Sequence, residues 1–215
     1  MKHRSTIAIF GEWQRLAFED DRGFSVPQRE NIKPRRLGRH LSDLFFAEYD
    51  SSNELVFRLG GTDICTLFGR ELKGQRLHSL WPERDRPALK ELSENIASMH
   101  IPALSLHQGI SLSGRNLQFE MLLAPLKDRN GHMGLLGSIA VLDTVSWIGA
   151  DPLVFGNLGT VEPIAPDQVL AEENPIETNQ AVNAQPYRRI WTQPHALEHP
   201  VKTTPRLQVI KGGKA

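Results

Sequence analysis

The groups with most chemical capacity in this chain are one thiol, a handful of imidazoles and two charges set in apolar stretches. Cys65, within Asp63-Ile64-Cys65-Thr66-Leu67, is the only thiol. A free cysteine in an apolar setting is most often a small buried hydrophobe, and its chemistry depends on what lies beside it. His78, His100 and His107 lie near apolar stretches, where an imidazole can act as a ligand. The competing role for each is a hydrogen-bonded core or surface residue, and His78 and His100 stand at element ends where solvent is close. His195 and His199 are spaced four apart, which would place two ligands on one helix face. Pro194 and Pro200 leave room for about one helical turn there, no third ligand is evident, and no metal site is assigned.

Arg58 alternates with Phe57 and Leu59, and Glu120 alternates with Phe119 and Met121. If both faces of a sheet are covered, these charges need partners. An Arg58–Glu120 pair is expected, either as a structural ion pair or as the polar end of a ligand pocket. The pocket candidates are Arg58, Thr62, Cys65, His107 and Glu120. No Ser/His/Asp arrangement or usable carboxylate pair appears, and Gly69 with Gly74 lacks the Gly-Lys-Ser/Thr ending of a phosphate loop. No catalytic residue is assigned, and an enzyme is not expected. The basic cluster Lys33, Arg35, Arg36, Arg39 and His40 is either a contact surface for phosphate or an acidic partner, or the solvated side of a helix. Tyr187-Arg188-Arg189-Ile190-Trp191 concentrates residue types that anchor interfaces, with Tyr187 and Trp191 as the aromatic pair. The competing reading has Ile190 and Trp191 fold back onto the domain.

These residues must be positioned by regular elements. Ile9, Phe10, Trp13, Leu16 and Ala17 have helical spacing, ended by Gly23, and Pro34 to Asp43 reads as a second helix with Leu37, Leu41 and Leu44 on one stripe. Leu44 to Tyr49 and Leu55 to Leu59 read as a hairpin, with Leu55, Phe57 and Leu59 alternating. Thr62 or Asp63 can cap a short helix, a further turn is expected from Arg70 to Leu80, and Pro82 opens a longer helix carrying Leu89, Leu92, Ile96 and Met99. The period then switches to two: Leu104, Leu106, Ile110 and Leu112 on one strand, Leu117, Phe119, Met121 and Leu123 on the next, and Met133 to Leu142 after the Asn130-Gly131 turn. The expected fold class is α+β: a five-stranded antiparallel sheet with helices on one face, an N-terminal helical extension and a largely disordered C-terminal tail.

Composition sets the bounds. The 215 residues carry 25 Lys+Arg and 25 Asp+Glu, a net charge of zero, which argues against a nucleic-acid partner. With 40% hydrophobic residues, mean hydropathy -0.34 and no long apolar run, a packed core is expected and a membrane span is not. One cysteine cannot make an intramolecular disulfide, and Ile7 to Phe10 is too short for a signal-peptide core, so a reducing cytoplasm is the expected compartment. More than half the prolines follow residue 150, where acidic residues come first and basic ones later. The expected division is 1–43, N-terminal extension; 44–148, core; 149–215, Pro-rich tail.

The element order, with Phe57-Arg58-Leu59-Gly60-Gly61-Thr62, Leu67-Phe68-Gly69-Arg70-Glu71-Leu72-Lys73-Gly74, Leu80-Trp81 and Ala124-Pro125-Leu126, resembles a PAS domain. More narrowly, the Pro27 to Pro34 segment leading into an Arg-rich helix and the terminal Lys211-Gly212-Gly213 are similar to a family of short, single-PAS alphaproteobacterial proteins. The resemblance implies a sensory or regulatory module that acts through a separate signalling protein, with no output domain of its own. It also implies an alternative, a small-molecule receptor with haem or flavin in the cavity, for which His78, His100 and His107 would be the candidates for an axial haem ligand; the cofactor itself is not identified. Cys65 lacks the Asn-Cys-Arg-Phe type of surroundings found in PAS domains that form a flavin adduct. A homodimer is expected, because the Phe10, Trp13 and Leu16 stripe must be covered by the sheet or by a second copy.

Overall fold

The computed structural model describes residues 1–19 and 23–168. Helix α1 (Arg4–Ala17) opens the chain, followed by a one-turn helix α2 (Pro34–Leu37) that passes directly into a 3-10 turn at Gly38–Asp43. Gly38 takes a φ of 51°, which breaks the single helix expected over Pro34 to Asp43. Strands β1 (Leu44–Tyr49) and β2 (Leu55–Gly60) form the hairpin, and α3 (Thr62–Leu67) and α4 (Arg86–Met99) follow, separated by a 3-10 turn at Leu77–Leu80. Strands β3 (Ala103–Ser111), β4 (Asn116–Lys127) and β5 (Met133–Val141) come next, then β6 (Leu153–Pro163).

All six strands form one sheet in the order β2-β1-β5-β4-β3-β6, and every neighbouring pair is antiparallel. The sheet is therefore one strand larger than expected. β6 lies in the segment assigned to the tail, and folded structure runs well past residue 148. The strand is held at its start by Asp151, whose carboxylate accepts hydrogen bonds from the Ser111 hydroxyl at 2.7 Å, the Ser113 hydroxyl at 2.6 Å and the Ser113 backbone N–H at 3.1 Å. Proline at 152 and 163 bounds the strand and does not interrupt it, which is why composition alone hid it.

Each face of the sheet carries its own core. The inner face packs against α3, α4 and the connecting turns, with Phe45, Phe57, Trp81, Phe119, Met121 and Ile139 almost fully buried. The outer face packs against α1, whose Ile9, Phe10, Trp13 and Ala17 meet Leu122, Ala124, Leu126 and Leu136. β4 belongs to both: Leu117, Phe119, Met121 and Leu123 point inward as the alternation predicted, and Leu122, Ala124 and Leu126 point outward.

Two alternation readings are corrected. On β3 the inward residues are Ala103, Ser105, His107 and Ser111, while Leu112, placed in the apolar stripe, is 76% exposed. Cross-strand pairing decides this, because His107 lies opposite Phe119 and Ser105 opposite Met121, and directly opposed residues share a face. On β2, Phe46 pairs with Leu59 but Ala47 pairs with Phe57, so a bulge at Arg58 turns Leu59 outward to 40% exposure. Met99 is likewise exposed at the end of α4, unlike Leu89, Leu92 and Ile96.

Trp13 has no exposed surface and its indole N–H donates to the Pro125 carbonyl at 2.7 Å. The stripe offered as grounds for a dimer is thus covered by the chain's own sheet, and Trp13 is a core residue. Replacing Trp13 with Ala should cost about 3–5 kcal/mol of folding free energy, and with Phe, which keeps most of the volume but loses the donor, about 1–2 kcal/mol. Urea unfolding followed by circular dichroism reads both, and equal stability of the Ala variant and the parent would show that α1 does not hold the sheet's outer face.

Candidate functional site

The compartment between the inner face and the α3–α4 layer is crossed by one polar thread. The Trp81 indole N–H donates to Nδ1 of His107 at 3.0 Å, so Nδ1 carries no hydrogen. Nε2 therefore bears it and donates to the Ser105 hydroxyl at 2.7 Å, and that hydroxyl donates on to the Met121 carbonyl at 3.3 Å. The His107 ring also stacks on Phe119 with centroids 4.9 Å apart and planes 13° apart. The thread runs from the turn before α4 through β3 to β4, tying the helical layer to the middle of the sheet. β6 closes over it at Gly156, where a Cβ would fall 2.8 Å from the Phe119 ring and 3.1 Å from Trp81 Nε1.

Around this thread the compartment is filled with side chains. Phe45 and Phe57 meet edge to face at 5.2 Å, Phe68 and Phe119 at 6.5 Å, and Leu72, Leu80 and Ile64 are fully buried between them. This arrangement does not fit haem held by His107. Both His107 nitrogens are engaged within the protein, which leaves no lone pair for iron. Cys65 is half-buried on α3, with its sulfur 3.8 Å from the Gly60 carbonyl and 3.9 Å from a Glu71 carboxylate oxygen. Cys65 also packs against the edge of the inner core.

The remaining expected site residues scatter. Glu120 is fully buried on the outer face and accepts from the backbone N–H groups of Lys2, at 2.9 Å, and His3, at 2.9 Å. It holds the chain entering α1, where a carboxylate is favoured by the N–H groups and the helix dipole. Arg58 is exposed on β2 and bonds Glu48 at 2.9 Å, so the expected Arg58–Glu120 pair does not form. The two residues belong to different strands separated in the sheet by β1 and β5. Thr62 is exposed in the first turn of α3, whose N-cap is Gly61 with no side-chain cap. His78 was placed near solvent, yet it is buried and bonds Ser93 at 3.1 Å. Because the Ser93 hydroxyl donates to the Leu89 carbonyl, His78 Nε2 is the donor.

Of the expected interaction residues, Arg35, Arg36 and Arg39 are exposed, with Arg36 3.9 Å from Glu12. Tyr187 and Trp191, like His195 and His199, lie outside the described residues. Sequence reasoning missed Ser105, Trp81 and Asp151 as functional partners. A small polar residue two before His107 on a strand was the one available signal for Ser105, since residues two apart share a face.

With this geometry in place, a family model described as PAS domain matches residues 1–140, and the chain belongs to that family. Among solved structures it is similar to one described as the dark structure of the blue-light photoreceptor Aureochrome1 LOV, at 15% identity and TM-score 0.37, over 47% of this chain and 76% of that one. It is also similar to one described as showing a flavin analogue in a light-oxygen-voltage domain, at 17% identity and TM-score 0.39, over 51% and 83%. No curated protein matches the chain. Among the described residues, no helix is long and apolar enough to cross a membrane.

Burial pushes the His107 pKa from its ordinary 6.5 down to about 3, with a backbone contact to Asn157 opposing. Burial also lowers that of His78, against the pull of Glu54. A depressed histidine pKa means that the unfolded chain binds the proton first. The contribution to stability is complete above the ordinary value and is lost as pH falls from there toward the folded value. Unfolding free energy should therefore fall between about pH 6.5 and pH 5, by up to about 1.4 kcal/mol per pH unit for each proton taken up. His107→Gln should flatten that slope. A slope unchanged in this variant would show that His107 does not hold a neutral, buried ring.

Proposed function

We propose that this chain is a cytoplasmic sensory and regulatory PAS protein that passes a conformational state to a separate signalling protein. The observation that supports the reading is the filled inner compartment. Where a cofactor receptor needs space, this domain has close-packed rings and a histidine committed on both nitrogens to its own neighbours. Family membership supports the sensory role. The finer likeness to short single-PAS alphaproteobacterial proteins fits the same role but rests on the sequence segments alone.

The mechanism is a population shift, in which a partner binds one arrangement of helices against the sheet better than another. The helical layer from Thr62 to Met99 is the moving part, and the Trp81–His107–Ser105 thread is its mechanical link to β3 and β4. A homodimer belongs to this proposal, but Trp13 cannot form it. The apolar surface that remains near the free edge of the sheet includes Leu112 and Val154, which is 47% exposed.

Sedimentation equilibrium at tens of micromolar protein is expected to give a dimer that Leu112→Glu or Val154→Glu weakens, whereas a monomer at all concentrations would remove the homodimer. Native mass spectrometry of protein from its own host is expected to show a partner protein and no bound chromophore. A stoichiometric haem or flavin, with visible absorption, would overturn the partner reading in favour of the cofactor receptor.

A further inference from the structure

At the β1–β2 end of the sheet, on the outer face, the protein forms a pocket of about 470 Å³. Its floor is apolar, built from Leu44 and Phe46 of β1 and Leu59 of β2, with Ile32 as a wall. Thr62 stands on one rim and Arg29 on another. The pocket thus joins the two segments singled out in the sequence, Pro27 to Pro34 and Phe57 to Thr62. Gly61 closes the join: its backbone lies so near the Ser42 carbonyl that a Cβ would collide with it. The bulge at Arg58, which turns Leu59 outward, supplies the remaining apolar surface.

Two guanidinium groups and one carboxylate stand at the mouth. The Arg29 guanidinium sits 4.9 Å from the Phe46 ring centroid and 2.7 Å from one oxygen of Glu48, whose other oxygen takes Arg58 at 2.9 Å. One carboxylate thus serves two guanidinium groups. Arg35 and Arg39 are exposed on the adjoining segment and form no ion pair among the described residues. A guanidinium over an aromatic ring at the edge of an apolar floor suits a ligand with an apolar body and one anionic head. The volume falls within the range of small-molecule sites, about 300–1,000 Å³.

We propose that this outer pocket binds a small amphipathic anion, a single carboxylate on a medium-length chain or a ring. The carboxylate meets Arg29 and completes a cluster of two guanidinium and two carboxylate groups, and the apolar body covers Phe46, Leu44 and Leu59. Such a ligand would fasten the 27–43 segment to β2. The inference is independent of the partner reading, because it is read on the isolated protein: loss of either leaves the other standing.

The test uses the full chain with octanoate, octan-1-ol and octylammonium as probes, followed by calorimetry and by backbone amide shifts. Octanoate is expected to saturate at millimolar concentration or below, to bind about tenfold tighter than octylammonium, and to shift the amides of Ile32 and of Leu59 to Thr62. Arg29→Gln should remove that preference for the anion while leaving octan-1-ol binding within about twofold. Leu59→Glu, at an exposed position, should weaken all three probes. The proposal is overturned if octanoate causes no saturable change, if octylammonium binds equally well, or if the shifts fall on β3 and β4 around His107 instead. The amide map on the unaltered protein decides even where a variant fails to fold.

Discussion

Strand β4 is buried on both faces, and the rest of the molecule is arranged around that constraint. A strand that presents Phe119, Met121 and Leu123 to one side and Leu122, Ala124 and Leu126 to the other cannot leave either side to water. The inner stripe recruits α3, α4 and their connecting turns. The outer stripe takes α1, and the carboxylate of Glu120, on the same strand, receives the first backbone N–H groups leading into that helix. One strand therefore fixes the position of the N-terminal helix through both apolar contact and a buried charge.

The same constraint determines what the interior can do. Because aromatic and aliphatic side chains from the sheet and from the helical layer meet in the middle, the polar atoms left there have only each other as partners. Trp81, His107 and Ser105 satisfy themselves in a directed chain of donors and acceptors, while burial disfavours the charged imidazole. The thread couples helices to sheet. The pocket lies on the opposite face, where α1 does not reach and where the bulge at Arg58 turns Leu59 outward.

Much of the fold was legible. The helix and strand order, both hairpins and the inward stripe of β4 followed from periodicity and from turn residues, because those signals are local. The errors have tertiary causes. On β3 the leucines read as core, although pairing with β4 turned the small polar residues inward. On β2 one extra residue reversed the side of Leu59. β6 was hidden between prolines and was stabilised by Asp151 reaching across to Ser111 and Ser113, a contact no window of sequence contains. The site was less legible than the fold. Glu120 is a buried charge and is answered by two backbone N–H groups, whereas Arg58 is exposed and bonds Glu48.

By itself the sequence determined which segments become helix or strand, and that one antiparallel sheet would have to be covered by helices, since the spacing of apolar residues is a property of the chain alone. Only the tertiary structure decided which face of each strand is the interior, which atoms answer the buried charges, and whether the domain is hollow. Those outcomes depend on register between strands distant in sequence. A shift of one residue exchanges every inward side chain for an outward one.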